Sequence, residues 1–215
     1  MEPITVALPK GRMQDDVLEL FAEAGYASEC DDDRKLIFSD CTGDLSFLLA
    51  KPSDVPTYVE YGAAELGIVG QDVVREGGQD LYEPLGLGIG RCRLALAGPP
   101  EWRERDLRLT PYLRVASKYP RLALAYVQER GLSVEVIYLS GSIELAPAVG
   151  LADLLVDLVQ SGRTLRENGL VEIETILESE AILVVNRAAH KLRFQAIQEI
   201  NGKLTAAVQA RKGQS

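Results

Sequence analysis

The densest chemistry in this chain lies in the segment Asp153-Leu154-Leu155-Val156-Asp157-Leu158-Val159-Gln160-Ser161-Gly162-Arg163-Thr164-Leu165. An apolar run carries an acid, and a Ser-Gly-Arg-Thr turn then opens a short helix that stops at Asn168-Gly169. Backbone N–H groups at a helix start lack intrahelical partners and stand at the positive end of the helix dipole, so such a turn suits a phosphate. Gly162 lets the backbone come close to a ligand, the Thr164 hydroxyl donates to a phosphate oxygen, Ser161 flanks it and Arg163 adds a cation. Acids upstream of the turn, Asp153 and Asp157, suit the hydroxyls of a ribose. Phosphate plus ribose diol is what a 5-phosphoribosyl group presents. A lone Ser-Gly-x-Thr turn serves equally as a plain helix cap. Asp157 shifts the balance, because a carboxylate in an apolar strand is costly unless it is paired or used.

A second set of charges sits at the ends of short strands: Lys10-Gly11-Arg12 after Pro9, Arg34 in Asp33-Arg34-Lys35, and Lys51 before Pro52-Ser53-Asp54. Cations beside a glycine at a strand's end suit a phosphate or pyrophosphate, although each group alone reads as well as a solvated loop. They gain interest together because the net charge is −9. An acidic chain repels nucleic acid at long range, so it binds an anionic small molecule only through locally gathered cations and amides. Asp31-Asp32-Asp33 reads as a solvated loop rather than a metal cluster. Three cysteines, Cys30, Cys41 and Cys92, show no metal-ligand spacing and read as small reduced core residues. A single histidine, His190, argues against a zinc site and against a histidine-based triad. The N-terminus lacks the basic and apolar regions of a signal peptide, and no apolar run approaches the ~20 residues of a membrane span. These features imply a cytoplasmic protein with no membrane or nucleic-acid partner.

The elements that position these residues follow from periodicity. Ile4 to Leu8 reads as a strand, and Met13, Val17, Leu20, Phe21 and Ala24 recur at helical spacing up to Gly25. Strands are expected at Leu36–Phe38, Leu45–Ala50, Leu66–Val69, Leu94–Ala97, Leu113–Ala116, Val134–Leu139, Leu154–Val159, Val171–Ile176 and Ala181–Val185. Helices are expected from a Ser53 or Asp54 cap to Tyr61, from Arg121 to Arg130, from Ser142 to Val149, and from about Ala188 to Ala210. This alternation predicts an α/β fold with mainly parallel sheets.

Gly62-Ala63-Ala64-Glu65-Leu66-Gly67-Ile68-Val69 echoes Gly150-Leu151-Ala152-Asp153-Leu154-Leu155-Val156-Asp157. Glu83-Pro84-Leu85 before Arg91–Ala97 echoes Glu174-Thr175-Ile176 before Ala181–Asn186. Two matches in the same order predict two similar lobes with a central cleft, and ligands of such sheets bind beyond the strands' carboxyl ends. The expected division is 1–92 plus 180–215 for the first lobe and 93–179 for the second, which carries the phosphoribosyl loop.

Over nearly its whole length the chain resembles the ATP phosphoribosyltransferase family. The resemblance lies in Ile4-Thr5-Val6-Ala7-Leu8-Pro9-Lys10-Gly11-Arg12, Asp54-Val55-Pro56-Thr57-Tyr58-Val59-Glu60-Tyr61-Gly62, Leu66-Gly67-Ile68-Val69-Gly70, Ser140-Gly141-Ser142-Ile143-Glu144-Leu145-Ala146-Pro147 and the Asp153–Leu170 segment. It implies a bilobal fold like the type II periplasmic binding proteins. The implied reaction opens histidine biosynthesis: N1 of the ATP adenine attacks C1 of the ribose of phosphoribosyl pyrophosphate (PRPP), and pyrophosphate leaves with Mg²⁺ bound to the substrates rather than to protein ligands. By the same resemblance Lys10, Arg34 and Lys51 act on the polyphosphates, Asp153 and Asp157 on the ribose or the acceptor, and Ser161, Gly162, Arg163 and Thr164 on the 5-phosphate. Gly11, Arg12 and Glu144 are further cleft candidates. Many relatives have arginine where this chain has Lys51, which keeps the charge without the bidentate fork. The resemblance is to the short form. It implies a catalytic homodimer, and a hetero-octamer of four such chains with four regulatory subunits similar to histidyl-tRNA synthetase. Two other readings share features of the sequence. A phosphoribosyltransferase for a free base would share the loop, and a non-catalytic solute-binding protein would share the two lobes.

Overall fold

The computed structural model describes residues 2–28 and 35–213. The chain divides into two compact units, Met1–Gly90 with Glu180–Ser215, and Arg91–Ser179. In the first, β1 (Ile4–Pro9) leads to α1 (Gln14–Glu23), β2 (Ile37–Ser39), β3 (Leu45–Ala50), α2 (Val55–Glu60), β4 (Leu66–Gly70), α3 (Gln71–Gly77) and β5 (Tyr82–Gly86). The second contains β6 (Cys92–Gly98), β7 (Leu113–Ser117), α4 (Pro120–Glu129), β8 (Val134–Tyr138), α5 (Leu145–Ala148), β9 (Leu154–Val159), α6 (Arg163–Glu167) and β10 (Val171–Ser179). The chain then returns to the first unit as β11 (Ala181–Val185), α7 (Arg187–Leu192) and α8 (Phe194–Lys212).

The two sheets share one plan. The first runs β2-β3-β1-β4-β11-β5, and the second, read from its other side, runs β8-β7-β9-β6-β10. In each, a parallel trio (β3-β1-β4 or β8-β7-β9) is followed by a reversed strand (β11 or β6) and an outer strand (β5 or β10). The segments that echo each other in the sequence end in β4 and β9, which hold the same place in the two sheets. The sheets are mixed rather than mainly parallel: among the described residues four strand pairings are parallel and five antiparallel. A parallel neighbour needs a crossover of a dozen or more residues. Only Glu180 separates β10 from β11, so no helix delivers β11 parallel to β4.

Each unit has its own apolar interior. Val17, Leu20 and Phe21 form the buried stripe of α1, and Phe21 meets Phe47 of β3 edge-on at 5.2 Å. All five residues of β4 are buried, as a strand covered on both faces requires. In the second unit Leu94, Leu96, Val115, Leu154 and Val156 pack with Trp102 and Tyr126 on one side of the sheet. Ala95, Ala116, Leu155 and Val159 pack with Ile143, Ala146 and Leu165 on the other.

Three local expectations are corrected. Neither Ser53 nor Asp54 caps α2 with its side chain; the Ser53 hydroxyl donates to Asp54 Oδ1 at 3.0 Å, and the Asp54 amide bonds to Lys51 O at 2.8 Å. The closing helix is two helices, because the backbone leaves helical geometry at Arg193. There the guanidinium reaches Glu65 Oε1 at 3.2 Å and the carbonyls of Pro3 and Glu2. Asn186 starts α7 by accepting the Ala188 and Ala189 amides, each at 2.9 Å. Cys41 is exposed and Cys92 half-buried, so neither is a core residue, and Cys30 lies outside the described residues.

Candidate active site

In the second unit the carboxyl ends of the parallel strands β7, β8 and β9 open respectively into Ser117-Lys118-Tyr119, Ser140-Gly141-Ser142 and Gln160-Ser161-Gly162. Open α/β sheets place ligands beyond such ends. The turn after β9 is shaped by Gly162, whose φ of +69° is a left-handed conformation that a side chain resists. Arg166 braces it from the next turn, its Nη1 donating to Ser161 O at 3.0 Å. The amides of Gly162, Thr164 and Leu165 have no acceptor among the described residues, while the Arg163 amide lies 3.4 Å from Ser161 Oγ. Ser161 and Thr164 are exposed beside them. The turn therefore offers several N–H groups and two hydroxyls to an anion.

Asp157 lies in β9, just before this turn. It is half-buried on the side of the sheet lined by Leu155, Val159, Ile143 and Leu165. Burial pushes its carboxyl above the ordinary carboxylate range. The Leu158 amide, donating at 2.8 Å, and the Lys118 ammonium work against burial, and the Glu144 carboxylate adds to it. Glu144 stands at the start of α5. Lys118, just past β7, and Glu144, at the start of α5, are thus the charges that act on Asp157 among the described residues.

Asp153 is not brought to this cluster. It lies four positions along the chain before Asp157, about 13 Å at ~3.3 Å per residue. At that amino end of β9, Asp153 Oδ2 accepts the Arg114 amide at 2.9 Å and lies 3.7 Å from Arg114 Nε. The Arg163 side chain is also turned away, onto Glu167 at 2.7 Å along the exposed face of α6.

The first unit has a comparable end. Pro9 and Ala50 are abreast in the parallel pair of β1 and β3, and the Lys10 amide donates to Ala50 O at 2.7 Å. Lys10 and Lys51 therefore leave adjacent strands at the same level. Both are exposed, as are Gly11 and Arg12, and the three cations form no ion pair among the described residues. Gly11 has a φ of +114°, so the chain turns there as only glycine readily does. Arg34 lies outside the described residues. Among the described residues no group of three or more His, Cys, Asp or Glu could hold a metal ion, and no helix is long and apolar enough to cross a membrane.

Sequence reading missed Lys118 and Arg166. Lys118 carries a usable signal, a cation directly after an apolar strand, the same signal that marks Lys10. Arg166 carries none, since a helical arginine two residues past Thr164 reads as solvated.

Comparison with known proteins bears on the family and the fold. Residues 51–206 match the family profile described as HisG: ATP phosphoribosyltransferase. The chain is 48% identical over 206 residues to an ATP phosphoribosyltransferase of Caldanaerobacter subterraneus subsp. tengcongensis, covering 95% of this chain and 97% of that one. It is 52% identical over 200 residues to one of Syntrophotalea carbinolica, covering 92% and 91%. Among solved structures, the ATP phosphoribosyl transferase (HisG:HisZ) complex from Thermotoga maritima superposes with a TM-score of 0.84 at 30% identity, over 96% of this chain and 99% of that chain. The periplasmic aliphatic sulphonate binding protein SsuA of Escherichia coli shares the fold alone, with a TM-score of 0.63 at 13% identity, over 100% of this chain and 71% of that one.

Proposed function

The chain belongs to the ATP phosphoribosyltransferase family, and we infer that its own residues run that reaction as follows. N1 of the ATP adenine forms a bond to C1 of the PRPP ribose as the C1–O bond to pyrophosphate breaks, in the first step of histidine biosynthesis. The attacking ring nitrogen is neutral, so no activated serine or cysteine is needed. Positive charge grows on the ribose and negative charge on the leaving group, so the protein's contribution is placement and electrostatics.

The Ser161–Thr164 turn receives the 5-phosphate on its free amides and hydroxyls. Arg163 joins that contact only by leaving Glu167. Asp157 accepts hydrogen bonds from the ribose hydroxyls, and Glu144 stands beside it toward the hydroxyls or the adenine amino group. Lys10, Lys51 and Arg34 draw charge from the departing pyrophosphate, with Gly11 and Arg12 shaping the first of these loops. Asp153 holds Arg114 and has no substrate role. Mg²⁺ bound with the substrates would supply further neutralisation of the leaving group. The assembly that goes with this reading is a catalytic homodimer joined to a regulatory subunit similar to histidyl-tRNA synthetase, four chains of each.

The observation that supports the reading most is the turn of unpaired amides directly after a strand whose one acid is held half-buried. Purified chain, with its partner subunit, should convert ATP, PRPP and Mg²⁺ to an N1-ribosylated adenine nucleotide, followed by chromatography and mass. No adduct with ATP, alongside turnover of a free base, would reassign the acceptor.

A further inference from the structure

Lys118 has no role in the reaction as assigned above. It leaves the sheet directly after β7, and Ser117, the last residue of that strand, is abreast of Val156 in β9. Lys118 therefore stands at the level of Asp157. Side chains alternate along a strand. Val115 and Val156 face the side with Trp102 and Tyr126, whereas Ala116, Leu155 and Val159 face the side with Ile143 and Leu165. Asp157 belongs with the latter set, beneath the start of α5 where Glu144 stands.

The bend that presents Lys118 is held by a buried clamp. The Ser117 hydroxyl donates to Val156 O at 2.7 Å and accepts the Tyr119 amide at 2.8 Å, and Ser117 is fully buried. A hydroxyl bonded on both sides fixes the residue between them. Lys118 itself forms no ion pair among the described residues.

We propose that Lys118 is the positioning residue of the ribose-binding carboxylate: from the end of β7 its ammonium acts on Asp157 of β9 at longer range than an ion pair and favours the charged, hydrogen-bond-accepting carboxylate, opposed by Glu144. This rests on the assignment of Asp157 to the ribose. Among the described residues the charges that act on Asp157 are these two. On the neighbouring strand β6 the residue opposite is the uncharged Ala95. On α6, Arg163 is spent on Glu167 and Arg166 on Ser161 O. Lys118 favours the ionised carboxylate and Glu144 disfavours it, so their removal has opposite consequences.

The experiment compares wild type, Lys118→Met, Lys118→Arg and Glu144→Gln. It reads the acid limb of kcat/KM for PRPP and, independently, the pH titration of the ¹³C-labelled Asp157 carboxyl by NMR. Lys118→Met should move both midpoints to higher pH and lower kcat/KM at neutral pH roughly tenfold, short of the ~100-fold that an ångström of misplacement costs. Lys118→Arg should restore the midpoints, and Glu144→Gln should move them to lower pH. Unmoved midpoints in folded Lys118→Met, no recovery with arginine, or shifts of one sign in both variants would overturn the proposal. The carboxyl titration needs no turnover. It therefore reads the Lys118–Asp157 pair even if wild type forms no adduct, the outcome that would sink the functional reading instead.

Discussion

Asp40, in the turn between β2 and β3, and Asp157, in β9, are both withdrawn from water, and their surroundings push them in opposite directions. Asp40 is 2% exposed. Its Oδ1 accepts the Leu45 amide at 2.8 Å, and its Oδ2 accepts the Thr42 amide at 3.1 Å and the Thr42 hydroxyl. Burial alone would raise its carboxyl, but the donors of Thr42, Leu45 and Gly43 together outweigh burial and hold it below the ordinary 3.8. Among the described residues Asp157 has the Leu158 amide as its single hydrogen-bond donor and Lys118 as its counter-charge, and burial wins. A carboxylate saturated with donors holds a turn together. One left short of donors in an apolar strand lowers stability until a ligand completes its shell, and this is the physical mark of a site. The cations of the first unit carry the complementary mark, since Lys10 and Lys51 stand at a strand end without ion pairs among the described residues.

The largest effect should come from Asp157→Asn. Loss of the ribose contact should lower kcat/KM about 100-fold or more. Stability should move the other way. Because the folded protein holds the Asp157 proton more tightly than the unfolded chain, the cost of the charge appears as pH rises from the ordinary 3.8 through the raised folded value, and is complete at neutral pH. The amide carries no such cost, so the variant should melt at or above the wild-type temperature at pH 7. Thermal melts and steady-state kinetics on one sample check both halves; a lower melting temperature with near-normal turnover would make Asp157 a second Asp40.

Lys10→Ala and Lys51→Ala should each reduce kcat by roughly 10- to 100-fold, with a loss in kcat as well as in the affinity for PRPP, because a leaving group gains charge only as the bond breaks. Lys51→Arg should retain activity. Normal kcat in both alanine variants would move the pyrophosphate contact elsewhere.

Asp40→Asn should have the smallest effect on catalysis, leaving kcat and KM unchanged, while stability at neutral pH falls by about 1–3 kcal/mol through donors left facing an amide. The lowered folded pKa places Asp40's contribution above the ordinary 3.8, to be lost as pH falls through the folded value. Wild type and variant should therefore converge in acid. A constant gap between their melting temperatures down to about pH 2, below the ordinary carboxylate range, would mean that the charge of Asp40 is irrelevant to the turn.

The α/β alternation, the stripe of α1, the apolar β4 and the turn into α6 are written in the sequence. Each depends on residues a few positions apart, such as Val17 with Leu20 and Phe21, or Gly162 with Thr164. The repeated segments before β4 and β9 also made the twofold plan legible, because equivalent strands need equivalent residues. What spacing could not reveal depends on partners far along the chain. Asp153 and Asp157 look alike on paper, yet Arg114, 39 residues upstream, takes one of them. Lys118 acquires its place only when β7 lies parallel to β9. The helix expected from Ala188 to Ala210 breaks where Arg193 meets Glu65, 128 residues away. The sequence by itself determined which groups stand at strand ends, because periodicity and turns are local. The tertiary structure decided which of those groups are saturated by the protein and which are left open, because hydrogen bonds and burial are settled by neighbours that only folding supplies.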